Sequence, residues 1–113
     1  MKNMSFSATT EQIRNRTKTV TRRLGWWYLK PGQMVRAVEK CQGLKKGEKV
    51  KPLAVIRIIS IRLERLDEIT EADLVLEGLP NVSLPAFLNM FTRINRCYWH
   101  SKIHRIEFEY VNE

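Results

Sequence analysis

At 113 residues the chain has room for one domain, because halving it would leave each part near the roughly 50-residue lower limit for independent folding. Hydrophobic residues are 43% of the chain and charged residues 28%, which excludes disorder, a collagen and a coiled coil. Lys and Arg number 20 against 12 Asp and Glu, a formal net charge of +8 that favours a polyanionic or phosphate-bearing partner such as nucleic acid or a nucleotide. Cys41 and Cys97 are too few for a disulfide scaffold. No charged-then-apolar leader opens the chain, and no apolar stretch nears the roughly 20 residues that span a bilayer, so the expectation is a cytoplasmic protein without membrane contact.

In chain order, Met4 and Phe6 alternate with polar neighbours, and Thr9 or Thr10 then caps a short helix running through Ile13 to about Asn15. The β-branched run in Lys18 to Arg23 predicts a strand. Pro31-Gly32 marks a turn into a second strand that begins at Met34 and closes at Lys40 and Cys41. Gly43 to Lys51 holds two glycines and four lysines and reads as an exposed hairpin loop. Leu53 to Leu66 is the most strand-like stretch, and its mixed spacing predicts a bend or burial on both faces.

A helix starts at Asp67 or Thr70, where Thr70-Glu71-Ala72-Asp73 resembles a capping box, and stops at Gly78-Leu79-Pro80. Ser83-Leu84-Pro85 opens another, with Phe87, Leu88, Met90, Phe91 and Ile94 as its apolar stripe. Ile106, Phe108 and Tyr110 alternate with Glu107 and Glu109 in a last strand from Ile103 to Val111. Five or six strands with two or three short helices make a small α+β domain over residues 1–113, expected as a compact β-barrel. The strands at Lys18, Met34, Val55 and Ile106 should share one curved sheet with the two later helices outside it.

Four groups of residues bear on chemistry. Arg14, Arg16, Lys18, Arg22 and Arg23 are followed at once by Trp26, Trp27 and Tyr28, and cations for phosphate beside rings for bases suit a nucleotide or RNA site. On this reading the arginines are exposed near the mouth of a cleft. Lys18 and Thr21 form a base and nucleophile only if the strand bends, because residues three apart on a regular strand face opposite ways. Glu77 is placed at the end of the predicted helix, where a carboxylate meets the negative helix pole. Cys97, His100 and His104 supply three zinc-type ligands with the last inside a strand and are read as unrelated, so neither a metal nor another cofactor is implied.

The segment Thr17-Lys18-Thr19-Val20-Thr21-Arg22-Arg23, followed by Leu29-Lys30-Pro31-Gly32 and the strand from Met34, resembles the ASCH family of the PUA-like superfamily, whose opening motif is Lys-Thr-x-Thr-x-Arg. Lys18, Thr19, Thr21 and Arg23 fill that motif. Thr70-Glu71 with Glu77, and Ile106-Glu107-Phe108, resemble the helix and closing strand of the short bacterial members that hydrolyse N4-acetylcytidine. The resemblance implies a metal-independent amidohydrolase with Lys18, Thr21 and Glu77 as its catalytic set. Arg14, Arg16, Thr19, Arg22, Arg23, Trp26 and Trp27 would bind the modified nucleoside or RNA. It leaves open whether Thr21 or a water activated by Glu77 attacks, and whether the chain is instead an RNA-binding PUA-like module, with or without ribonuclease activity.

Overall fold

The computed structural model describes residues 1–112. It contains strands β1 (Lys2–Ser5), β2 (Val20–Arg23), β3 (Met34–Val38), β4 (Pro52–Arg65) and β5 (Lys102–Tyr110), with helices α1 (Thr10–Arg14), α2 (Glu71–Leu76) and α3 (Leu84–Asn95). Short 3-10 turns at Ser7–Thr9 and Leu66–Glu68 lead into α1 and α2. All five strands form one sheet in the order β1-β3-β4-β5-β2, with β1 parallel to β3 and every other pairing antiparallel. This is the expected α+β architecture. No helix among the described residues is long and apolar enough to cross a membrane.

β4 sets the curvature. At 14 residues it is long for a strand, and its register against β5 slips between Ile58 and Ser60, so the strand bends there as an inserted residue requires. Its first half also pairs with β3. Inside the curl, Met4, Phe6, Val35, Ile56, Ile58, Ile106 and Phe108 pack around Ile13 of α1, each with almost no exposed surface. Each such side chain contributes about 1.5–3 kcal/mol. A second core joins α2 and α3 to Leu66 and to Ile103 at the start of β5.

The caps follow the sequence. Thr70 Oγ1 accepts the Asp73 N–H at 3.2 Å, and Ser83 Oγ accepts the Ala86 N–H at 3.2 Å with Pro85 in the first turn. Along α3, Phe87, Leu88 and Phe91 are buried as expected, whereas Ile94 is 62% exposed. The predicted first strand is shorter than expected. The Lys18 N–H donates to Gln12 O (3.2 Å) and the Thr19 N–H to Leu76 O (2.8 Å), so ladder pairing begins only at Val20 opposite Glu107. The parity that would separate Lys18 from Thr21 on a regular strand therefore does not apply.

β1 and β2 are the two outer strands and do not pair with each other, so the sheet is a half-barrel with one open side. Arg23 reaches across the opening, its Nη2 donating to Ser5 O at 2.6 Å. The end of α2 approaches this side through Gly78, whose φ of +83° lies in the left-handed region. A Cβ there would stand 2.8 Å from both Cβ and Cγ of Gln12 and 3.3 Å from Cβ of Lys18. Gly78→Ala should therefore destabilise the protein by more than the ~1–2 kcal/mol of left-handed strain alone, because α1 must also give way. Thermal and urea unfolding of the variant check this; a loss within about 0.5 kcal/mol of zero would contradict the close approach.

Candidate active site

Glu77 caps the C-terminus of α2, its N–H bonded to Asp73 O at 2.8 Å, and only 3% of the residue is exposed. A carboxylate so placed meets the negative helix pole without water and needs cations close by. Two are supplied. Lys18 Nζ donates to Oε1 at 2.6 Å and to the Glu77 carbonyl at 3.0 Å, and Arg22 Nη1 donates to Oε2 at 3.0 Å. Arg22 Nη2 also reaches Glu64 Oε1 at 2.9 Å and Asp73 Oδ2, and Arg105 grips the Asp73 carboxylate with Nε at 2.8 Å and Nη2 at 3.2 Å. Lys18, Arg22 and Arg105, joined at the exposed rim by Arg62 (Nε to Glu64 Oε2, 3.2 Å), thus face Glu64, Asp73 and Glu77 in a network joining β2, β4, β5 and α2.

Burial is the main influence on Lys18 and holds its ammonium below the usual lysine range, while the adjoining Glu77 carboxylate pulls the other way. Burial likewise lowers Arg23 to about 10. Hydrogen bonds from Arg105, reinforced by Arg22, depress Asp73 to about 2 against the desolvation that opposes them. Tyr110 Oη donates to the Lys18 carbonyl at 2.5 Å and so fixes the backbone that carries the lysine. Burial pushes this phenol up to about 12.

A cleft of about 170 Å³ opens over this network, between the Ser5–Thr9 segment, β2, the end of α2 and α3. Lys18, Thr21, Arg23 and Glu77 line its polar side, and Phe87, Met90, Phe91 and Ile94 its apolar side. The buried Thr21 hydroxyl accepts the Arg23 Nε–H at 3.1 Å, which leaves its own proton to be donated. Arg23 also lies over the Phe6 ring at 4.7 Å. The cleft is smaller than the ~300–1,000 Å³ of drug-sized sites.

The three residues of the implied catalytic set therefore come together, with Lys18 and Glu77 in direct contact and Thr21 on the same wall. The expected basic face does not form as a unit. Arg22 is 4% exposed and its guanidinium is engaged by three carboxylates, so it is a network member and not a phosphate ligand at the surface. Arg23 is partly buried at the cleft. Arg14 and Arg16 are exposed but away from it: Arg14 pairs with Glu11 at 2.5 Å, and Arg16 donates to Asn112 at 2.7 Å beside the Tyr110 ring. Thr19 acts through its backbone, bridging Leu76 and Phe108. Trp26 packs partly buried against the inner core with φ +62°, while Trp27 is 74% exposed and edge-on to Tyr28; neither ring lines the cleft. The sequence reading missed Glu64, Arg105 and Tyr110 and took Asp73 only as a helix cap. Arg105, two residues from the buried Ile103 on one face of β5, was the available signal.

Asp73 is more acidic in the folded chain than its ordinary 3.8, so its contribution to stability is full above that value and disappears as pH falls to about 2. Urea unfolding of the wild type and Asp73→Asn through this range should show a stability gap that is constant above about pH 4 and narrows below it. A gap independent of pH would contradict the charged network.

No family model matches the sequence, and a search of curated proteins returns no match. Solved structures do match. An ASCH domain from Lactobacillus crispatus superposes with a TM-score of 0.69 at 17% identity, covering 96% of this chain and 78% of its own. Protein EF3133 of Enterococcus faecalis, of the DUF984 family, gives a TM-score of 0.69 at 18% identity, with 97% and 79% covered. The hypothetical protein PH0355 gives 0.68 at 20% identity, with 98% and 100% covered. The chain has the fold of an ASCH domain, a small α+β half-barrel of the PUA-like kind.

Proposed function

We propose that the cleft is the active site of an amidohydrolase that removes the acyl group from N4-acetylcytidine-type nucleosides. One observation carries this reading: a buried lysine, held below its usual range by burial and tied at 2.6 Å to a buried glutamate, shares a cleft wall with a threonine hydroxyl. In the proposed cycle, neutral Lys18 takes the Thr21 proton as Oγ1 attacks the acyl carbonyl carbon. The resulting ammonium then protonates the departing N4 amine as the C–N bond breaks. Water, deprotonated by Lys18, then attacks the threonyl ester carbonyl; the bond to Oγ1 breaks, the acyl group leaves as a carboxylic acid, and the Lys18 ammonium returns its proton to Oγ1. Arg23, donating to Thr21 Oγ1, stabilises negative charge that develops at that oxygen. Glu77 has both carboxylate oxygens engaged by Lys18 and Arg22, which favours a positioning and charge-balancing role over activation of water.

A second reading, an RNA-binding module without turnover, is favoured by the net charge of +8. Incubation with N4-acetylcytidine, followed by chromatography for cytidine, separates the two. On the enzymatic reading Lys18→Met, which leaves Glu77 its Arg22 partner, lowers kcat by at least about 100-fold without unfolding the chain. Thr21→Ser retains part of the activity and Thr21→Val none. The base must be neutral, so kcat/KM rises with pH up to a midpoint below the ordinary lysine value of 10.5. Wild-type protein that leaves N4-acetylcytidine intact removes this assignment.

A further inference from the structure

A second groove of about 400 Å³ adjoins the cleft and shares Ser5, Ser7 and Arg23 with it. Its other walls are Asn3, Trp26, Lys40, Cys41 and Gln42, so no carboxylate residue lines it. Two cations, Arg23 and Lys40, line it instead, and Arg36 donates to the lining residue Asn3 through Oδ1 at 3.2 Å. The Lys40 side chain is 42% exposed and makes only a loose 3.5 Å pair with Glu48, so its ammonium can change partner at little cost. Among the described residues, Arg23 Nη1 has no hydrogen-bond partner, although Nε and Nη2 do. Trp26 is held in a left-handed conformation that costs a non-glycine residue about 1–2 kcal/mol, directly after Gly25 in the same region.

We infer that this groove holds the nucleotide next to the one in the cleft, so that the cleft also takes the acylated cytidine within a single-stranded polynucleotide and holds it there more tightly than as a free nucleoside. The inference rests on the cleft reading above. The intervening phosphate would meet Arg23 at the shared wall and Lys40 beyond it, the Asn3 and Gln42 amides would serve its oxygens or the base edge, and the neighbouring base would stack on Trp26. An uncharged nucleoside would leave these cations unused.

The test is equilibrium binding of cytidine and of tetracytidylate to the intact chain and to Lys40→Gln, followed by tryptophan fluorescence over a salt series. Ribo and deoxyribo tetranucleotides are run side by side, the tighter naming the class of strand. The tetranucleotide should bind at least about tenfold more tightly than cytidine, with a log–log salt slope of about −0.7 per neutralised phosphate. Lys40→Gln should remove about one such increment while leaving turnover of free N4-acetylcytidine unchanged. Equal affinities, or a slope untouched by Lys40→Gln, overturn the groove assignment even if the nucleoside is hydrolysed. Tight, salt-sensitive tetranucleotide binding that Lys40→Gln weakens, without nucleoside turnover, supports the groove and removes the amidohydrolase.

Discussion

A carboxylate buried at the negative end of a helix is the constraint on which this molecule is organised. Glu77 has lost water and faces the carbonyl end of α2, and each ion withdrawn from solvent costs several kcal/mol unless a partner offsets it. The remedy is geometric. Gly78 turns the chain at φ +83° so that α2 ends against α1, and Lys18 leaves the ladder to meet the carboxylate at 2.6 Å. Arg22 comes in from the other oxygen at 3.0 Å and in turn requires Glu64 and Asp73, which requires Arg105. A buried network of this kind adds little net stability over apolar packing, yet removing one buried member costs about 3–5 kcal/mol by stranding its partners. It therefore fixes where the groups stand more than it strengthens the fold.

The same geometry explains why the cleft lies where it does. β1 and β2 are the free edges of the half-barrel, and unpaired edges side by side leave a gap that side chains must fill. Arg23 fills it in three ways, through Ser5 O, the Phe6 ring and the Thr21 hydroxyl. The open side of the sheet, the end of α2 and the apolar face of α3 then enclose a space with charge on one wall and rings on the other. The proposed chemistry needs that division: a low-dielectric wall that disfavours the lysine ammonium, and a hydroxyl with a cationic donor beside it.

The parts that the sequence disclosed are those governed by local rules. Thr70 and Ser83 cap their helices because a hydroxyl three residues before an N–H reaches it, and β3, the long β4 and β5 follow from β-branched and alternating runs. Glu77 drew attention through its conflict with the helix pole. What local reasoning got wrong was Arg22, counted with the exposed cations. Its three carboxylate partners lie 42, 51 and 55 residues away in sequence, and no window around Thr21 contains them. The start of β2 failed for the same reason: Lys18 and Thr19 suit a strand, but their N–H groups are claimed by Gln12 and Leu76. Lys40, expected to close a strand that in fact ends at Val38, and Asn3 on an edge strand carry no local sign that they border the second groove.

The claim that this pair of buried charges governs the site is tested most directly by the side-chain titration of Lys18, followed by nitrogen-15 NMR of its Nζ in the wild type and in Glu77→Gln. The account predicts that Lys18 titrates below its ordinary 10.5, apart from the exposed lysines, and lower still in Glu77→Gln, because the carboxylate that raises it against burial is gone. A Lys18 that titrates with the surface lysines, or one indifferent to the loss of Glu77, would contradict it.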